Sequence, residues 1–386
     1  MSEERGFQPP AGAKPPSPTE GEPLKTRKMS GCTKLLLGCG CGCVSIFILA
    51  TIAGVWIIWW ALEEKPIIAA EICIDDTAIS VVSLRLDRNS PLTKAIIRDL
   101  AARMETEDPE GVKEMKKAVE PAHLMDRALP IQLTVVSREG VVAESEKENI
   151  CVVLSYARLS NAVNWLWEKC AEGVKADSPG DVIEHEGGFV MTVEVVNRER
   201  KDGGTTAEIR PGSGDEGSPY MSCLGNNLIV SGDGERVKMM RSRLKAGTAD
   251  FGGNTGMKDM FSRLAADRDA FGIVLNKDGV LDREFAFLQE RGSTVDFTAV
   301  EGMCWDAKAV GEDKIEGTAR FKAKTAEVAK RLAEAFERTK ADIVQSVADD
   351  GMQLTLSPAA EGDVAVIQFT LEGFRDELVK SFFDKK

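Results

Sequence analysis

Three rhythms of apolar and polar positions run along this chain. The first is unbroken: from Leu35 to Leu62 no residue is charged. As a helix these 28 positions cover about 42 Å, against ~30 Å for a hydrocarbon core, so the pattern predicts a transmembrane helix over residues 35–62. Trp56, Trp59 and Trp60 close the tract, and their amphipathic rings favour a lipid–water boundary. Lys25, Arg27, Lys28 and Lys34 precede it and Glu63 and Glu64 follow, which places the N-terminus in the cytoplasm and the rest of the chain outside. A cleaved signal would need an unusually long basic leader, with Trp59 three residues before a cut after Ala61. The lipobox-like Leu36–Cys39 precedes the apolar stretch instead of following it. The expectation is an uncleaved signal-anchor in a bacterial inner membrane, with a periplasmic or extracellular C-terminal domain.

The second rhythm alternates with period two and the third has the helical period, and the two recur in the same order. "LPIQLTVVSREGVVAESEKENICVVLSYA" (129–157) aligns without gaps to "VDFTAVEGMCWDAKAVGEDKIEGTARFKA" (295–323), each reading as two strands around a polar turn. Helical patterns follow, "RLSNAVNWLWEKC" from Arg158 and "KTAEVAKRLAEAF" from Lys324, with Ala162/Val328, Leu166/Leu332 and Cys170/Phe336 matched. Next come "EGGFVMTV" at Glu186 and "DDGMQLTL" at Asp349, then "LIVSGDGERVKMMRSRL" from Leu228 and "IQFTLEGFRDELVKSFF" from Ile367. "IIRDLAA" from Ile96 also resembles "MFSRLAA" from Met260.

Local hairpins with helices to one side predict an α+β fold. Its parts are one N-terminal transmembrane helix and two similar subdomains with antiparallel sheets and packed helices. The expected organisation is a disordered Pro-rich cytoplasmic tail (1–34), the span (35–62), a first repeat (67–246) and a second (247–386). The pairs Gly188/Gly351 and Gly234/Gly373 are offset by 163 and 139 residues. The first copy therefore carries ~24 extra residues, a loop insertion near 197–220.

Charge narrows the partners. The chain of 386 residues carries a net −13, yet residues 1–34 hold six Lys/Arg against four Asp/Glu, leaving −15 for the remainder. An acidic ectodomain disfavours nucleic acid, which needs a basic face. Its five cysteines, Cys73, Cys151, Cys170, Cys223 and Cys304, are too few and scattered for a disulfide framework and read mostly as buried small apolar residues, with a single bridge left open. No N-x-S/T sequon lies past the span, in keeping with a bacterial envelope.

The span opens on "GCTKLLLGCGCGC". Cys32, Cys39 and Cys43 share one helical face but cannot close a tetrahedral metal site, and whether these or Cys41 are acylated stays open. Gly38 and Gly42 form a GxxxG that Ala50 and Gly54 continue, making these four the candidate self-association positions for a homo-oligomer; close helix packing is the simpler account. "GSGDEG" (212–217) formally fits G-x-G-x-x-G but reads as a loop before a strand, and "GGNTGMKD" lacks P-loop geometry. His185-Glu186 has Phe at position 189 where a zinc protease needs histidine, so it reads as a turn. His123 has no identifiable partner, and "SGDGE" from Ser231 reads as a helix cap at Asp233. No cofactor, metal site or catalytic constellation is expected.

One residue points to recognition. On the helix from Arg158 the apolar stripe is Leu159, Ala162, Val163, Leu166 and Cys170, and Trp165 points about 120° away, where its counterpart is Arg331. An outward tryptophan is a favoured interface anchor, so Trp165 is the candidate partner-binding residue, unless the insertion or the other half covers it.

A short proline-rich tail, one anchor and a duplicated α+β ectodomain resemble bacterial single-pass envelope proteins of uncharacterised function. That resemblance implies a layout and carries no active-site residues. The expected function is a membrane-tethered extracytoplasmic binding or scaffold module for an unknown envelope protein. The alternatives are a transmembrane sensor or regulator, and an envelope enzyme with an unrecognised site.

Overall fold

The alternating runs do become strands, and the most apolar of them lies at the centre. The computed structural model describes residues 63–107, 113, 129–138, 149–199, 205–211, 218–277, 279–286 and 296–376. The tail and the predicted span, with Gly38, Gly42, Ala50, Gly54 and Cys32, Cys39, Cys41 and Cys43, lie outside the described residues, as does His123. Among the described residues no helix is long and apolar enough to cross a membrane.

The fold is α+β with one large antiparallel sheet. Its strands are β1 (Ser80–Leu86), β2 (Ile131–Ser137), β3 (Ile150–Tyr156), β4 (Val182–His185), β5 (Gly188–Glu199), β6 (Thr205–Pro211) and β7 (Tyr220–Leu224), then β8 (Asn227–Ser231), β9 (Ala270–Leu275), β10 (Val300–Ala309), β11 (Lys314–Ala323), β12 (Gln353–Glu361) and β13 (Val364–Glu372). The helices are α1 (Pro91–Glu107), α2 (Ser160–Asp177), α3 (Gly234–Ala246), α4 (Thr255–Ser262), α5 (Val280–Glu284) and α6 (Ala326–Asp349).

Two separate sheets were the expectation; the structure has a single one, because β1 and β9 pair antiparallel, Val81 opposite Ile273. Each would otherwise expose a hydrophobic edge. Outward from β1 the order is β2, β3, β8, β7, β5, β4; outward from β9 it is β10, β11, β13, β12. Helices α2 and α6 follow β3 and β11 respectively. The first arm has β4, β5 and β6 in addition, so "EGGFVMTV" in β5 is not the counterpart of "DDGMQLTL" in β12, whose place in the order is taken by β7; the stretch 197–220 contains the end of β5, all of β6 and the first residue of β7. The segments "IIRDLAA" and "MFSRLAA" do not occupy equivalent places: the first belongs to α1, after β1, and the second begins in α4, before β9.

Strand β9 divides its side chains between two cores. Phe271, Ile273 and Leu275 join Val81, Val136, Val153 and Ile229 under α3 and α4, through Val237, Met240, Met257 and Met260. Val274, on the other face, joins Phe297, Phe321, Ala365 and Ile367 beneath Leu332 and Phe336 of α6. At the centre, the indole of Trp305 lies where a Cβ on Gly272 would be, so only glycine admits it.

Helix α6 reads as its sequence predicts: Thr325 caps it by accepting from Val328 N at 3.3 Å, and Ala329, Leu332, Ala333 and Phe336 are buried at helical spacing. Helix α2 does not. Leu166 and Cys170 of the predicted stripe are exposed, while Ser160 and Ala171 are buried and Trp167 and Val174 pack with them on Val182 and Met191. The helix is turned by one residue, because Trp167 brings more apolar area to the sheet than Leu166 or Cys170.

Candidate functional site

Three features of the described body bear on function, and the first is how the chain enters it. Residues 63–66 are strapped to the start of α2. Asn161 Nδ2 donates to Glu63 Oε2 at 2.9 Å, and Lys65 Nζ donates to Asn161 Oδ1 at 2.6 Å. Arg158 grips Glu64 Oε2 at 2.8 and 3.3 Å. Lys65 N donates to Ala157 O at 2.6 Å and Asn226 Nδ2 to Pro66 O at 2.8 Å. Leu159, at the corner between β3 and α2, has φ 67°, a left-handed conformation that leucine rarely adopts.

On that same helix Trp165 is 55 % exposed and Leu166 58 % exposed. Among the described residues, nothing from the other half covers Trp165. With Ser160, Trp167 and Ala171 turned to the sheet, the opposite side of the helix presents Ala162, Trp165, Leu166 and Lys169 at spacings of three and four. The outward direction of Trp165 follows the sequence; the company of Leu166 does not, since Leu166 was expected inside.

The third feature was not singled out in the sequence. On the second arm, positions of β10–β13 facing away from α6 form an open polar trough of about 430 Å³. One cross-strand row runs Asp306, Thr318, Gln368, Ser357, and the next Glu316, Thr370, Thr355. At ~4.8 Å between strands the first row spans about 14 Å. Asp306, nearly buried, is engaged by Arg320 Nη1 at 2.5 Å and by Ala265 N at 3.1 Å, so its charge is neutralised within the fold. Gln368, Ser357, Thr355 and Glu316 are exposed to solvent. The signal for the trough is the period-two polarity of "GTARFKA" and "LTLSPAA". Edge strand β12 carries Pro358, which removes a backbone donor and disfavours strand addition there.

The remaining candidates are structural. His185 closes β4, and Glu186 (φ 48°) and Gly187 (φ 75°) form the tight hairpin turn into β5. Ser242 Oγ lies 3.1 Å from His185 Nε2 and donates to Glu186 Oε1 at 2.8 Å. The hydrogen bond from Ser242 holds Glu186 below the usual carboxylate range. Asp233 caps α3 through Glu235 N at 2.9 Å. Asn254 caps α4 in the "GGNTGMKD" stretch through Met257 N at 3.1 Å. "GSGDEG" lies outside the described residues, between β6 and β7, so the element after it is a strand where a dinucleotide site needs a helix. Cys73, Cys151, Cys223 and Cys304 are buried and Cys170 is exposed, all unbridged. Burial pushes the thiols of Cys151 and Cys223 up to about 12 and Cys304 to about 11. No group of three metal-ligating side chains occurs among the described residues.

Neither protein-family models nor curated proteins give a match to this chain.

Proposed function

We propose that this protein is a membrane-tethered binding or scaffold module of the bacterial envelope. A signal-anchor at 35–62 holds two similar α+β halves, 67–246 and 247–386, on the outer side of the inner membrane. The shared order of strands and long helix in the two arms supports the duplication. The observation that carries the binding role is the trough: two registered rows of hydroxyl, amide and carboxylate groups lie on a rigid sheet with no described helix over them. Its volume falls within the ~300–1,000 Å³ usual for ligand sites, and its lining suits a polar ligand that hydrogen-bonds repeatedly.

Photo-crosslinking in native membranes tests this reading. A photoreactive residue at Ser357 of the full chain is expected to capture a partner, and a second substitution, Thr355→Arg, which fills the trough with a long cationic side chain, is expected to abolish the capture. The same adducts with the trough filled would refute it. Thr355 is exposed, so the change leaves the fold intact.

A further inference from the structure

We infer that Trp165 and Leu166 form a foot that rests in the lipid–water interface and fixes the orientation of the ectodomain on its own membrane. The inference rests on the reading of 35–62 as a bilayer span. Glu63 is the next residue after that tract, and its carboxylate is bonded to Asn161. Four residues along the same helix stands Trp165, about 6 Å further by the helical rise. The headgroup zone on each side of a bilayer is about 5–8 Å deep. A chain that leaves the membrane at residue 62 and is strapped at 63–66 to Arg158, Asn161 and Asn226 therefore holds the exposed indole within reach of that zone.

The chemistry of the patch agrees. Tryptophan is the side chain that favours this interface, and Leu166 beside it adds apolar area, while Lys169, one turn on, is paired with Glu172 at 2.5 Å. The second arm supplies an internal control. In the gapless alignment the counterpart of Trp165 is Arg331 on α6, exposed and paired with Glu327 at 3.1 Å, and α6 lies on β12 and β13 at the far end of the sheet. The two helices share a place in the repeat, yet the one with Trp165 and Leu166 outward is the one bonded to the chain's exit from the span.

The full chain is reconstituted in vesicles of phosphatidylethanolamine and phosphatidylglycerol, with a benzophenone amino acid at position 165, 166 or 331. After illumination, the expected result is lipid adducts at 165 and 166 and none at 331. Flotation of the same samples after alkaline carbonate reports the anchor. Floating protein without lipid adducts at 165 and 166, or with adducts there only to a second copy of the chain, overturns the foot while the anchor stands. Protein that fails to float overturns it through the anchor. Positions 165 and 166 are solvent-facing, so the replacement does not disturb the core.

Discussion

Neighbouring residues of α2 have opposite fates. Trp167 packs against Ala171, Val182 and Met191, whereas Trp165 is turned outward. Trp167→Ala is expected to cost about 2–4 kcal/mol through lost burial and the cavity left behind, and Trp165→Ala within about 0.5 kcal/mol, both read from urea unfolding of the full chain. Equal losses would mean that the helix buries the other face. Cysteine chemistry checks the same rotation. Cys170 is exposed, while Cys73, Cys151, Cys223 and Cys304 are buried and their thiols held protonated by desolvation. Peptide mapping after iodoacetamide at pH 8 should find Cys170 alkylated and the other four protected until the protein is unfolded. The rotation was not legible from apolar spacing, because Leu166/Cys170 and Trp167/Ala171 are adjacent stripes of similar width. Only the sheet beneath, where Val182 and Met191 meet Trp167 and Ala171, chooses between them.

Helix α3 shows how an element is bound by more than its apolar face. Val237, Met240 and Leu244 reach the core, but the same helix sends in three arginines. Arg243 donates to Ile72 O and Ile74 O at 3.1 and 2.8 Å, Arg241 to Cys223 O at 2.6 Å, and Arg236, wholly buried, to Val136 O at 3.1 Å and to Asn149 O. Arg236 also faces buried Asp75 at 3.9 Å, and desolvation lowers its pKa. Arg236→Ala would strand those carbonyls in the core and leave Asp75 Oδ2 only Arg138, also at 3.9 Å, an expected loss of about 3–5 kcal/mol, whereas Arg236→Ala with Asp75→Asn should lose less than the two single losses added. A strictly additive cycle in denaturant titration would remove the pair from the account. The strands and α6 were legible because their burial is periodic and local. The arginine ties, the strap at 63–66 and the trough join residues scores of positions apart, or depend on which face α6 covers, and no local period encodes that.

At the scale of the whole molecule, charge and connectivity make separate predictions. Asp250 is lowered by the Gly252 N–H, Asp267 and Asp363 by Lys308 and Lys322, and Asp296 by the Thr298 hydroxyl, while burial raises Asp282. A carboxylate with a folded pKa below its unfolded value of about 3.9 stabilises above that value and loses the contribution as pH falls through the folded one. The urea midpoint should therefore hold from pH 8 to 5 and decline below pH 4; a midpoint that rises on acidification would contradict these pairings. Connectivity decides how the body comes apart. Two subdomains with their own sheets would melt in two steps, but β9 gives side chains to both cores and pairs with β1 of the other arm. Gly272 is the place to perturb that seam, because a Cβ there meets the Trp305 ring and forces it from its place against β9. Overpacking of this kind costs about 1–3 kcal/mol. Since the strain falls on the strand both cores share, Gly272→Ala is expected to move a single calorimetric transition of the full chain to lower temperature. A split into two transitions, one unmoved, would show that the arms fold independently and that the β1–β9 pairing is a contact between finished domains.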